Sequence, residues 1–576
     1  MKLLLFFLQR SKSIGYSKGF TVILIVAGIV GGVSNTIILA LINSVLKQQG
    51  SSTATLMCSF FAICALLAIS KAISQIMLMR FAKGTACDLR TQLGRQILAS
   101  PLRDLEAVGS NRLIASLTDD IPKIVQALTN LPNLCINIAI VLGCLVYMGW
   151  LSWVLLLLLS VVFGVGGLGY SALARRAYKY VKFARENWDL LLKHFHSLID
   201  GSKELKLHRQ RREEFFSQNI KDTAATLARH RIAAWTNYVV AENWGQMLIF
   251  VVVGLLIFNI AKFQSINAEV LTGYVIIILY MTNPLQFVLN TLPMISMAEV
   301  AIKQINELSI LMESKVREDD APSPANLNLS WKKISLVGVT HTYPRERENG
   351  NFTLGPINFK YTPGETVFIT GGNGSGKTTL IKLIAGLYSP EDGNIVFDGR
   401  PVTSQNRDYY RQHFSAVFSD FYLFDGLYGL DNPGLDEQAR EYMVQLQLDH
   451  KVQIKNGLLS TTNLSQGQRK RLALLTAYLE DRPIYIFDEW AADQDPLFKD
   501  IFYQQFLPEL KSRGKTVLVV SHDDRYYYVA DRLIKLEYGQ VISDRFVTVG
   551  EKAERKISLT PGTSEILPMS RPLNQF

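Results

Sequence analysis

Six apolar stretches before residue 300 constrain this chain more than any other feature. Their approximate bounds are 19–45, 53–79, 125–149, 151–173, 243–260 and 271–296. Each is long enough, at about 1.5 Å per residue, to cross about 30 Å of hydrocarbon as a helix. Buried helices of a soluble protein are a poor alternative, because runs such as 153–165 carry no charge at all. The sequence therefore predicts a multi-pass helical membrane domain over residues 1–313.

Lys and Arg set the orientation. Lys2, Arg10, Lys12 and Lys18 precede the first stretch. The connection between the second and third holds Arg80, Lys83, Arg90, Arg95, Arg103 and Arg112, and that between the fourth and fifth holds Lys203, Lys206, Arg209, Arg211 and Arg212. The other connections carry only Lys47 and Lys262. The positive-inside rule then places both termini and both basic connections in the cytoplasm. Those two connections are also the long ones, about 45 and about 70 residues, and read as helices continuing beyond the bilayer. Residues 1–8 run into Gln9-Arg10-Ser11-Lys12 without a small-residue cleavage site, and so predict an interfacial helix rather than a signal peptide. The net charge of +10 belongs to this membrane pattern. No nucleic-acid-binding motif accompanies it.

Polar residues within the stretches have two readings each. Lys71 lies towards the cytoplasmic end of the second stretch, where snorkelling accounts for it. Asn35, Asn43, Asn133, Asn137, Asn283 and Asn290 could line a route for cargo or hydrogen-bond between helices. Cys58, Cys64, Cys87, Cys135 and Cys144 read as small apolar residues, without metal or disulfide spacing.

After a charged, proline-containing linker at 314–330, the composition changes to that of an α/β domain over 331–547, followed by a loose tail, 548–576. Within it, an apolar run (366–370) leads into Gly371-Gly372-Asn373-Gly374-Ser375-Gly376-Lys377-Thr378-Thr379, and a helical run follows. Strand, glycine loop and helix N-terminus in this order form a phosphate cradle. Lys377 can reach the terminal phosphates and Thr378 can hold Mg²⁺. Downstream, four apolar residues end in Asp488-Glu489, and a further strand ends at His522. Such a buried strand delivers carboxylates to the edge of an open α/β sheet where ligands bind. Asp488 suits the Mg²⁺ shell, Glu489 a general base towards water, and His522 a hydrogen-bond donor to the γ-phosphate.

Together with Leu464-Ser465-Gln466-Gly467-Gln468, these residues resemble the nucleotide-binding domain of ABC ATPases. The intervals agree: 24 residues separate 464 from 488, and 111 separate 377 from 488. With the six stretches, the resemblance extends to an exporter half-transporter. It implies ATP with Mg²⁺ as cofactors, Tyr343 as the adenine-stacking aromatic and Asp495-Pro496 as the D-loop. It also implies a homodimer in which Ser465 and Gly467 of one copy close on the ATP held by Lys377 of the other. The segments Glu106–Gly109 and Gly201–Glu204 resemble the coupling elements of such exporters.

The departures are specific. Gln466 stands where glycine is usual, Ser419 where the Q-loop has glutamine, and Trp490 where proline is common. Ser419 can still offer an oxygen towards Mg²⁺ with shorter reach. The stretches 414–418, 488–496 and 521–524 are similar to those of bacterial cyclic-peptide exporters, a subgroup associated with siderophore precursors, lipopeptides and microcin-like peptides. The resemblance thus implies ATP-driven export of a cyclic or modified peptide across the bacterial inner membrane, with membrane lipids and a second copy as partners and nucleic acid as none. A lipid or lipopeptide flippase and an ATP-gated membrane regulator are the rival readings.

Overall fold

The computed structural model describes residues 53–260, 268–313, 329–344, 351–430 and 434–548, together with scattered residues between 26 and 42. The expected N-terminal interfacial helix, most of the first apolar stretch, nearly all of the linker and the tail lie outside the described residues. The chain divides into two compact units, Met1–Leu93 with Leu113–Glu307, and Gly94–Arg112 with Leu308–Phe576.

The first unit is helical. Its long elements are α1 (Thr53–Ala99), α3 (Ile121–Leu151), α4 (Trp153–Asp200), α6 (Asp222–Leu255) and α7 (Ala268–Glu313), with the short α5 (Ser202–Leu207) between α4 and α6. Among the described residues, five helices are long and apolar enough to cross a membrane; they overlap the second to sixth expected stretches and run well beyond them. The 48 residues of α4 measure about 70 Å, so their polar portions extend far past the hydrocarbon thickness. Ser152 alone separates α3 from α4, because an extended residue there ends one helix and starts the next.

Two apolar clusters hold this unit together. Phe81, Leu89, Ile124 and Leu128 belong to one, and Ile140, Met148, Leu159, Tyr274 and Ile278 to the other. Asn35 accepts from Tyr280 Oη at 2.8 Å, and Asn133 accepts from Gln75 at 2.8 Å. Asn137 donates to the Asn133 carbonyl at 2.7 Å. Asn283 and Asn290 are exposed, and Asn43 is outside the described residues. All five cysteines are free.

The second unit carries two sheets. A four-stranded antiparallel sheet contains β1 (Ile334–Pro344), β2 (Asn351–Tyr361), β4 (Asp392–Phe397) and β5 (Arg400–Pro401), in the order β2-β1-β4-β5. A six-stranded sheet contains β3 (Thr366–Gly371), β6 (Phe414–Val417), β7 (Ile484–Asp488), β8 (Thr516–Val520), β9 (Arg532–Glu537) and β10 (Gln540–Phe546). Its order is β10-β9-β3-β8-β7-β6. Residues of β7 and β8 are buried throughout, because helices cover both faces, and this explains their unbroken apolar runs. Helix α8 (Lys377–Ile384) follows β3, and α9 (Gln466–Glu480) precedes β7. The short helix α2 (Leu102–Val108) belongs to this unit, with Leu102 packed against the apolar cluster of Leu380, Ile384 and Tyr388.

Candidate nucleotide site

Three parallel neighbours set the site. In the β3/β8 pairing Ile369 lies opposite Val520, and in the β8/β7 pairing Val520 lies opposite Asp488. The chain therefore leaves all three strands at one edge, where the 371–379 loop, the Asp488-Glu489 pair and Ser521-His522 converge.

The loop needs its glycines. Gly371, Gly374 and Gly376 have φ of 145°, 75° and 98°, values that side-chain-bearing residues rarely adopt. A Cβ on Gly371 would also fall 2.2 Å from the Leu536 carbonyl oxygen. Lys377 is buried, its Nζ donating to the carbonyls of Gly371 and Gly372 at 3.1 and 3.0 Å and lying 3.8 Å from Glu489 Oε1. The Ser375 hydroxyl is buried without a partner among the described residues. A glycine loop, a helix N-terminus and a lysine together make this a strong anion site.

Asp488 is fully buried at the end of β7. Its Oδ2 accepts from Thr378 Oγ1 and from Ser419 Oγ, each at 3.1 Å, while Oδ1 has no partner among the described residues. Burial pushes the carboxyl above its ordinary range, and the two hydroxyls and the nearby Ser419 amide pull it part of the way back. Clustered hard oxygens with one buried carboxylate oxygen unused suit a small divalent cation. The donor set therefore fits the Mg²⁺ that the sequence implies for Thr378, Asp488 and Ser419.

Glu489 adopts the left-handed conformation, with φ 49° and ψ 32°. Its Oε1 lies 3.1 Å from His522 Nε2. The fold thus brings His522 to the carboxylate expected to act on water.

A cavity of about 340 Å³ runs from Tyr343 and Phe352 along residues 373–379 to Glu489. Tyr343 meets the rings of His341 and Tyr388 edge-on, with centroids 5.0 and 6.0 Å away. Leu464, Ser465, Gln466, Gly467 and Gln468 do not line this cavity. They form the start of α9, where Ser465 and Gln468 make a reciprocal capping box. Asp495 caps the following helix through the Phe498 amide and pairs with Arg471 at 2.5 Å. The structure thus gathers Tyr343, the loop, Asp488, Glu489, His522 and Ser419 at one place, and leaves the 464–468 segment and Asp495 at another.

Phe352 is not singled out by the sequence, and neither are the partners of α2, although Glu106 belongs to the segment that resembles a coupling element. Phe352 is the cross-strand partner of Tyr343, a pairing that no local pattern announces. In α2, Glu106 accepts from Lys382 Nζ at 3.0 Å and from the Tyr388 hydroxyl. Arg103 pairs with Glu391 at 2.9 Å and donates to the Thr342 carbonyl at 3.3 Å.

Comparison with known proteins agrees with this geometry. A family model described as ABC transporter matches residues 354–492. Over 465 residues the chain is 38% identical to the ATP-binding protein SyrD of Pseudomonas syringae pv. syringae, covering 79% of this chain and 82% of that protein. The chain is an ABC transporter. The transporter is also 27% identical to an ATP-dependent lipid A-core flippase of Thiobacillus denitrificans, over 79% of each chain. Its fold is that of a bacterial Atm1-family ABC exporter solved with ATP bound, at a TM-score of 0.69, 14% identity, and coverage of 97% of this chain and 99% of that one. As an ABC transporter it binds ATP and couples ATP hydrolysis to transport.

Proposed function

We propose that the transporter exports a peptide, cyclic or otherwise modified, across the bacterial cytoplasmic membrane, as a homodimer with its termini in the cytoplasm. The observation that carries the dimer is the separation of the signature segment 464–468 from the cavity of its own chain. A nucleotide seated along 373–379 meets protein on one face only. A second copy would present Ser465 and Gly467 to the other face. ATP then favours closure because it contacts both copies only in the closed state.

In this reading Tyr343 stacks on adenine, and the 371–379 loop with Lys377 holds the phosphates. Thr378, Asp488 and Ser419 would hold Mg²⁺, which when bound supplies positive charge against the phosphate oxygens. Glu489 takes the proton of the attacking water, as phosphorus gains the water oxygen and loses the bridging oxygen to ADP. The Nε2 of His522 meets Glu489 Oε1 at 3.1 Å, and with nucleotide seated its N–H would turn to donate towards the γ-phosphate. Asp495 ties its helix to the signature helix through Arg471.

The peptide cargo rests on the resemblance of residues 414–418, 488–496 and 521–524 to bacterial cyclic-peptide exporters. Uptake of a labelled cyclic peptide into inverted membrane vesicles tests it: accumulation requires ATP and is absent with Glu489→Gln. No accumulation of any peptide would favour a regulator. The likeness to lipid A-core flippases favours a second reading, lipid translocation. ATPase activity that rises with phospholipid alone and ignores peptide would support it.

A further inference from the structure

The roles above leave one buried group between the signature segment and Glu489 unused. Lys470, on α9, is 3% exposed. Its Nζ donates to the main-chain oxygen of Glu489 at 3.0 Å and lies 2.7 Å from Asp493 Oδ2. Gln466 Nε2 donates to the same Asp493 oxygen at 3.2 Å. At the other end of the residue, the Lys470 carbonyl accepts from Trp490 Nε1 at 2.8 Å, and Trp490 is itself fixed by stacking on Phe502 at 4.3 Å. Lys470 is therefore gripped by the residue after Glu489 while its ammonium grips Glu489.

The direction of the Glu489 carbonyl is set by that residue's ψ. The Ala492 amide donates to this oxygen at 3.2 Å and the Glu489 amide to the Val520 carbonyl at 3.1 Å, and the buried ammonium adds a charged donor that helps hold Glu489 in a left-handed conformation that a non-glycine residue otherwise disfavours. Gln466, exposed at the start of α9, reaches the clamp through Asp493. Close approach of the two segments is enforced at Gly467, where a Cβ would come within 3.2 Å of the Asp493 carbonyl oxygen.

We propose that Lys470 is a positioning residue for Glu489, and that Gln466, through Asp493, makes this positioning respond to what occupies the signature segment. The proposal rests on the reading of Glu489 as the group that takes the water proton. Gln466, which departs from the usual glycine, thereby acquires a task.

The test uses the full-length protein in lipid nanodiscs, with kcat, KM for ATP and Tm measured for each variant. Lys470→Met is expected to lower kcat about a hundredfold, as a misplaced reacting group does, with KM and Tm near the parent's. Lys470→Arg restores part of the rate. Adding Asp493→Asn to Lys470→Met costs less than Asp493→Asn alone, since both disable one clamp. Gln466→Gly lowers kcat severalfold at unchanged KM. Parental kcat in Lys470→Met overturns the proposal, as does a loss of rate matched by loss of ATP binding and Tm that arginine does not relieve. Should Lys470→Met not fold, parental kcat in the exposed Gln466→Gly variant overturns it instead. Glu489→Gln, measured alongside, separates the two claims: turnover at the parental rate there refutes the base assignment, whereas an inactive Glu489→Gln beside a fully active Lys470→Met refutes only the clamp.

Discussion

Ser419 Oγ donates to Asp488 Oδ2 at 3.1 Å, so a serine occupies the place from which the resemblance expects a longer glutamine to act. The contact is shared with Thr378, whose hydroxyl reaches the same oxygen at the same distance. Two short side chains thus hold one carboxylate oxygen and leave the other unused.

Removing Ser419 Oγ removes a hydrogen bond to a carboxylate, worth about 1.5–3 kcal/mol. Ser419→Ala is expected to raise the Mg²⁺ concentration for half-maximal ATPase activity by about tenfold or more. Titration of Mg²⁺ at saturating ATP checks this. An unchanged midpoint would show that Ser419 takes no part in holding the cation.

Glu489→Gln keeps the size of the side chain and its place beside His522 but cannot take a proton. The variant should bind ATP as the parent does and lose about 10²–10⁴-fold in kcat, the usual contribution of a general base. ATP should remain associated after gel filtration. Parental turnover would remove Glu489 from the chemistry.

Asp488 has a carboxyl raised from its ordinary value of 3.8 by burial. For an acid whose folded value lies above its unfolded one, the stabilising contribution is complete below the unfolded value and is lost as pH rises through the folded one. At pH 7 without Mg²⁺ the ionised group therefore weakens the fold. Asp488→Asn is expected to raise Tm under those conditions, and the gain should shrink as pH falls towards 3.8. Calorimetry from pH 7 downward decides it; a gain that grows on acidification contradicts the burial argument.

Glu106 joins α2 to Lys382 and Tyr388. Lys382 lies on the helix that follows the phosphate loop, and Tyr388 touches Tyr343. Glu106→Ala should loosen α2 by about 1.5–3 kcal/mol. Faster hydrogen exchange across residues 102–108, with ATP binding retained, is the expected result. Exchange at the parental rate would mean that Arg103 and Leu102 hold the segment without Glu106.

Much of this was legible in the amino-acid order for a physical reason. β3, β7 and β8 are covered on both faces, so each reads as a short apolar run with a functional residue just beyond it. Lys377, Thr378 and Asp488 stand out as candidates because phosphate and cation chemistry would fix their spacing along the chain. Phe352 and Lys470 do not, because their neighbours are set by strand register and by a turn between elements. The membrane helices are legible over their apolar parts, and the long charged connections read as helices continuing beyond them. The point at which α4 ends, Asp200, carries no such signal, since charged residues do not interrupt a helix.

The alignment of Ile369, Val520 and Asp488 across three strands has a practical corollary. Slipping any one strand by a residue would turn its loop or carboxylate to the opposite side of the sheet. A molecule assembled out of step could not hold a triphosphate. Retention on an immobilised ATP resin therefore doubles as an assay of correct central-sheet assembly, and a purification built on it would discard misfolded protein without a separate step.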